Sequence, residues 1–249
     1  MTTIDLNADV GETPGDLGMM EYVTSANIAC GGHAGDESSM TAAVEHAVAH
    51  GVVVGAHPSY PDRAGFGRRH LDVGLGALAV AVADQVRSLD AIARRAGVAV
   101  RYLKMHGALY HRLGRDEECA AALLEELART GFGPVAVLAQ PGAAIAAVAS
   151  RLGWPAAAEA FCDRAYGADG VLVERGLPGA LLGAADEAAA QALSLTLAHG
   201  VQALDGSWIA VRADSLCLHG DTPGAIGLSR QVSAALTRAG VVLQPFVAR

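Results

Sequence analysis

Aromatic residues are scarce: phenylalanine, tryptophan and tyrosine make up 4% of the 249 residues. Hydrophobic residues reach 52%, and much of that is alanine, which suits helices packed closely on a sheet. No apolar run approaches the roughly 20 residues of a membrane-spanning helix. The longest are broken by Asp84 and by Gln140-Pro141, although mean hydropathy is positive. A lysine-rich patch is missing, and the formal net charge is −8, so nothing here tracks a phosphate backbone and nucleic acid is excluded. The opening "MTTIDLNADVGE" has no basic start and carries acids where a secretory leader has its apolar segment, so no leader is expected. Cysteines number four (Cys30, Cys119, Cys162 and Cys217) and form no C-x-x-C pair, which fits reduced thiols in the cytoplasm. Three familiar signatures are also missing: GxxxxGK[ST], a strand-linked GxGxxG, and HExxH. His46 and His50 stand four apart, but the glutamate precedes the first of them, and both are expected to face solvent. A nucleotide would need a less standard loop, such as "GDTPGA" at 220–225.

What is present is an alternation of strand-like and helix-like segments. "TIDLNAD" alternates with period two, "SANIACGG" and "VVVGAH" are short strand runs, and "ESSMTAAVEHAVAHG" repeats apolar residues at helical spacing up to Gly51. The pattern continues through a long helix at 75–97, "VAVRYLKMHG", a helix at 116–131, "PVAVLAQPG", a helix near 143–152 and "AAAEAFCDRAY". An excursion at 170–183, a helix near 186–199 and a hairpin signalled by Asp205-Gly206 lead to "DSLCLHGD", a helix at 227–240 and "VVLQPF". Strand and helix repeated in this way predict βαβ units on a parallel sheet. The expected fold is α/β: a (β/α) barrel, seven-stranded and imperfectly closed, with a doubly wound open sheet as the alternative. No linker divides it, so residues 1–249 are expected to form a single domain.

In α/β folds the functional side lies at the carboxyl ends of the strands. The first strand puts Asp5, Asn7 and Asp9 on one face, a stripe too polar to bury without water, a metal or cationic partners. Later strand ends add Asn27 and His33, then His57, then Lys104 and His106, then Glu159, Asp163 and Arg164, and finally Cys217, His219 and Asp221. One histidine at a strand end is more often structural. Six strands delivering polar residues to one rim point to an active site. Histidines with carboxylates suit general acid–base work, and three histidines with an aspartate also suffice for a divalent metal. No compact ligand spacing fixes such a metal, so none is assigned. Lys104 is a candidate anion hook or Schiff-base lysine, and "DRAGFGRRH", with Arg63, Arg68 and Arg69, a candidate clamp for carboxylate or phosphate. Cys30 and Cys217, in apolar strands, read as inert packing.

The blocks "DLNADVGE", "ANIACGGHAGD", "VGAHPSYPDRAGFGRR", "KMHGALY", "AEAFCDRAY" and "LHGDTPGA" resemble, in order and along essentially the whole chain, the signature blocks of the lactam-utilisation family, the A subunits of bacterial ATP-dependent 5-oxoprolinases. The resemblance implies a polysaccharide-deacetylase-like barrel. It also implies ATP-driven opening of 5-oxo-L-proline to L-glutamate, with ATP and magnesium as cofactors and partner subunits B and C. Carried onto this chain, Asp9, His33, His57, Lys104, His106, Glu159, His219 and Asp221 become catalytic candidates, with Asp221 orienting His219 or another neighbour. Asn7, Asn27, Arg68, Arg69, Asp163 and Arg164 become candidates for holding substrate or phosphate, a role Lys104 would share. Three positions depart from the usual pattern: Met105 in place of proline, His111 in place of asparagine and Cys162 in place of a small residue. Two other functions compete: a stand-alone metal-dependent amidohydrolase or deacetylase, and a non-catalytic scaffold subunit.

Overall fold

Period-two patterning sorts the first strand into two faces. In the computed structural model, which describes residues 1–248, this segment is β1 (Thr3–Val10). Ile4, Leu6, Ala8 and Val10 join the apolar core, while Asp5, Asn7 and Asp9 are buried on the opposite face. Five parallel strands follow, each paired with its predecessor: β2 (Ser25–Ala29), β3 (Val53–His57), β4 (Tyr102–Leu103), β5 (Ala136–Ala139) and β6 (Ala156–Phe161). The chain then makes an antiparallel hairpin outside the ring, β7 (Gly200–Gln202) and β8 (Trp208–Ala210), at the expected Asp205-Gly206 turn. Next, β9 (Ser215–His219) enters between β6 and β1. Its pairing with Asp5–Asp9 closes a seven-stranded parallel barrel, so the sheet is not open. The ring is thinnest at β4, where two residues pair on each side. β10 (Val242–Leu243) lies alongside Thr3 and Ile4 only.

The helices form the jacket. α1 (Glu37–His50) starts in a reciprocal capping box between Asp36 and Ser39 and stops at Gly51, in the left-handed region at φ 64°. α2 (Leu75–Arg95) buries Leu78, Val82, Val86, Leu89 and Ile92, one apolar stripe. α3 (Gly107–Leu113), α4 (Glu117–Arg129), α5 (Ala144–Arg151), α6 (Ala185–Leu193) and α7 (Ala225–Arg238) complete it. The helix expected at 186–199 is α6 followed by a π-helical turn, Ser194–Ala198, which ends at His199 with a left-handed φ of 53°. Among the described residues no helix is long and apolar enough to cross a membrane.

Helices and ring bury the apolar faces between them, which leaves the barrel lumen to the polar stripe. Gly55 is needed there: a Cβ at this position would overlap the Tyr102 ring, which reaches across to β2.

Candidate active site

The lumen is filled by layers of hydrogen-bonded polar side chains that rise toward the carboxyl ends of the strands. In the lowest layer, Asp5 accepts from Thr24 (2.6 Å), Ser25 (2.7 Å) and Ser215. Burial dominates these bonds and pushes the Asp5 carboxyl up to about 6. Above it, Asn7 donates to Ser215 (2.7 Å), Asn27 donates to Asn7 (2.7 Å), and the Tyr102 hydroxyl donates to Asn27 (2.6 Å). Asn27 also donates to Asp9 Oδ1 at 2.7 Å, which ties this layer to the next.

Asp9 is the hub. Its Oδ1 accepts from Lys104 Nζ (2.8 Å), its Oδ2 lies 3.3 Å from His57 Nε2, and the same oxygen lies 3.9 Å from His219 Nε2. Burial opposes its charge, but His57 and Lys104 outweigh burial and hold it well below the usual carboxylate range. Lys104 is the only lysine in the chain. Burial works against its charge as well, yet Asp9, Cys217 and Glu159 keep it well above the ordinary lysine value. Lys104 Nζ is thus paired with Asp9 (2.8 Å) and faces Glu159 (3.3 Å), a setting that meets its charge with carboxylates of the protein rather than with the anion or carbonyl expected of it. Glu159 has no exposure and sits behind the lysine beside Tyr110; burial outweighs the pull of Lys104 and raises its carboxyl.

On one side of Asp9 lies a nest of three histidines around Glu12. Glu12 Oε1 stands 2.8 Å from His33 Nε2, 3.1 Å from His106 Nδ1 and 3.6 Å from His57 Nε2. Asp16 sets this loop by accepting the backbone N–H groups of Gly11 (3.1 Å), Glu12 (2.8 Å) and Thr13 (2.8 Å). Burial opposes the Glu12 charge, but bonds from His106 and His33 overcome it and hold the carboxyl below its usual range. Burial pushes His33 down to about 4 and lowers His106, whereas at His57 the attraction of Asp9 overcomes burial and raises the imidazole. Phe66 covers the nest, edge-on to His33 and His106, from a left-handed φ of 53° unusual outside glycine.

On the other side is a dyad. His219 Nδ1 donates to Asp163 (2.8 Å), which also accepts the His219 backbone N–H (3.1 Å) and the Thr222 hydroxyl (3.2 Å). Burial opposes the Asp163 charge, and His219 outweighs it and lowers the carboxyl. With Nδ1 fixed, His219 Nε2 faces Asp9 at the mouth.

The rest of the expected set divides clearly. The partner that orients His219 is Asp163; Asp221 instead pairs with Arg68 and with Arg175 (3.3 Å) at the mouth. Asn7, Asn27 and Asp163 are fully buried supports, out of reach of a ligand. Arg164 donates to the Val173 carbonyl (2.6 Å) and the Ala180 carbonyl (3.4 Å), pinning the excursion at 170–183. Arg69 turns to Asp62 of its own loop, with its side chain 63% exposed. Of the residues expected to hold substrate or phosphate, Arg68 alone reaches the mouth, and Arg175 joins it there. Glu12 and Arg175 were missed: both lie in loops beyond any strand pattern, though Glu12 ends the quoted block "DLNADVGE". His46 and His50 stack on each other on α1, away from the site. All four cysteines are buried free thiols, and burial pushes Cys30 up to about 12.

A closed parallel barrel with a histidine–carboxylate centre at the carboxyl ends of its strands is the class that fold and site define. Within it, the chain belongs to the LamB/YcsF family, whose model matches residues 4–249. It is 46% identical to a Streptomyces griseus protein named as the A subunit of 5-oxoprolinase, over 98% of this chain and 99% of that one. The solved lactam utilization protein from Thermus thermophilus superposes with a TM-score of 0.89 at 39% identity, covering 97% of this chain and 99% of that one. A peptidoglycan deacetylase from Bacillus subtilis shares the fold alone, with a TM-score of 0.51 at 11% identity over 98% of this chain and 87% of that one.

Proposed function

We propose that this chain is the A subunit of an ATP-dependent 5-oxoprolinase, a cyclic amide hydrolase that opens 5-oxo-L-proline to L-glutamate together with partner subunits B and C. The observation that carries the reading is the Asp163–His219 dyad aimed at Asp9 at the mouth, in a chain matching full-length relatives that bear the name. A five-membered lactam is a poor electrophile, and ATP, with magnesium, supplies the phosphoryl group that activates its oxygen. The mouth suits such anions: Arg68 and Arg175 present two guanidinium groups to the single carboxylate of Asp221, which leaves a net positive charge for phosphate or for the substrate carboxylate.

The residues then divide the proton work. His219 Nε2 takes a proton from the water that adds to the ring carbon, while Asp163 holds the imidazole tautomer and steadies the imidazolium. The same Nε2 returns the proton to the ring nitrogen as the C–N bond breaks, and the acyl phosphate left on that carbon would be hydrolysed by a second water to the glutamate carboxylate and inorganic phosphate. Asp9, kept ionised by Lys104, orients the water and faces the charge that develops on His219. The partner subunits have a surface to meet: Val171, Leu177, Leu204 and Trp208, on the excursion and the β7–β8 hairpin, each leave about half or more of their area exposed, and Arg175 joins that excursion to the mouth.

The test is glutamate release from 5-oxoproline and ATP, by this chain alone and with subunits B and C. Turnover by the full mixture that disappears with His219→Ala supports the reading. Full turnover with the variant makes the chain a scaffold, and turnover by the chain alone without ATP makes it a stand-alone amidohydrolase.

A further inference from the structure

The histidine nest holds more inward-facing acceptors than its hydrogen bonds supply protons. His57 Nδ1 lies 2.7 Å from the Lys104 carbonyl and His106 Nε2 lies 2.9 Å from the Phe66 carbonyl. A carbonyl only accepts, so each ring must carry its proton on that outer nitrogen. Their inner nitrogens, His57 Nε2 and His106 Nδ1, then face each other at 3.0 Å, with Glu12 Oε1 facing both. Glu12 Oε2, also buried, has no hydrogen-bond partner among the described residues. We propose that Glu12, His57 and His106 form a binding site for one divalent transition-metal ion, a tripod of two imidazoles and a carboxylate.

The dimensions suit an ion. Two donors each about 2.1 Å from one metal stand roughly 3.0–3.4 Å apart, for angles between octahedral and tetrahedral. Two edges of the tripod, 3.0 and 3.1 Å, fall in that range, and the third, from His57 to Glu12, is slightly wider at 3.6 Å. The surroundings match what metal-binding imidazoles require. Both ligand rings are fixed by backbone carbonyls, and His33, stacked flat on His106, donates its Nε2–H to Glu12 as an outer partner. Phe66 and the backbone of Gly67 close the outside of the nest; a Cβ at Gly67 would press on His33, His106 and Ser59. Asp9 Oδ2, 3.3 Å from His57, borders the remaining side, toward His219. The other cluster of donors, Asp9, Cys217 and His219, is a poor competitor, because Lys104 Nζ stands 2.8 Å from the Cys217 sulfur and would repel a cation there.

This site does not depend on the lactam reading, and ion content is measured without turnover. Metal-free chain is dialysed against Zn(II), Mn(II) or Co(II), and bound metal per chain is counted. One ion per folded chain is expected for at least one of the three, with Co(II) giving d–d bands of a nitrogen–oxygen site. Glu12→Gln, His57→Ala and His106→Ala should each weaken binding at least about 100-fold, and His33→Asn about 10- to 100-fold. The His46→Ala/His50→Ala chain should bind like wild type. Should a ligand variant misfold, X-ray absorption on the loaded wild type decides, with two imidazoles in the first shell expected. Failure of wild type to bind any of the three ions, retention of the ion in all three ligand variants, or its loss from the His46/His50 variant overturns the proposal.

Discussion

The two sides of Asp9 use the same residue types to opposite ends. In the nest, His57 and His106 give their outer protons to backbone carbonyls and turn their inner nitrogens on each other and on Glu12, behind Phe66. In the dyad, His219 gives its outer proton to a carboxylate and leaves Nε2 at the mouth, the one histidine of the four that is 8% exposed. Either kind of acceptor fixes the tautomer and orientation of an imidazole. The two sides differ in what the free nitrogens meet: in the nest they converge on each other and on Glu12, whereas His219 Nε2 faces Asp9 at the mouth.

The comparison breaks most completely if the cation that holds the hub is removed. Lys104→Met leaves Asp9 and Glu159 buried without their cation, at a cost of about 3–5 kcal/mol in denaturant-melt stability; Lys104→Met with Glu159→Gln should recover part of it. Unchanged stability in the single variant would mean that Lys104 does not balance Asp9. Next in size, Asp163→Asn should lower turnover of the assembled enzyme, counted per folded chain, by about 10²–10⁴-fold. Equal losses for Asp163→Asn and Asp221→Asn would remove the distinction between dyad and mouth.

A pH effect separates the barrel floor from both sides. Asp5, pushed up mainly by burial to about 6 from 3.8, binds its proton more tightly when folded. Its stabilisation is fully present below pH 3.8 and lost as pH rises through 6, at about 1.4 kcal/mol per unit, or about 3 kcal/mol in all. Asp9 and Asp163, both lowered, act in the opposite sense and lose stabilisation as pH falls. The difference in unfolding free energy between wild type and Asp5→Asn should therefore change by up to that amount between pH 4 and 7, in favour of the variant at the higher pH; a flat difference would contradict it. The smallest effect is at the mouth: Arg68→Ala should raise KM about tenfold with little change in kcat, and a loss confined to kcat would place Arg68 in the chemistry.

How far the sequence foretold this follows from which residues lie on strands. Period two in "TIDLNADV" and the strand-end histidines placed Asp9, His57, His106 and His219 on one rim, and the strand–helix alternation gave the barrel. Alternation does not tell which polar residues of the lumen a ligand can reach: Asn7 shares the stripe with Asp9 and Asn27 pairs opposite Asp9, yet both are fully buried among protein groups. Glu12 and Arg175 are carried by loops with no period to mark them. Glu12 is placed by Asp16 four residues later, Arg175 by a contact with Asp221 across 46 positions. The single lysine was a signal in plain view, since a chain that uses arginine everywhere else keeps one compact, buried ammonium at its centre.

The most direct measurement takes His57→Ala and His219→Ala through one preparation, counting bound divalent metal per folded chain and glutamate formed with ATP and the partner subunits. The result expected is that His219→Ala keeps its ion and loses turnover, while His57→Ala loses the ion. If His219→Ala loses the ion, or His57→Ala keeps it, the division of labour across Asp9 is contradicted.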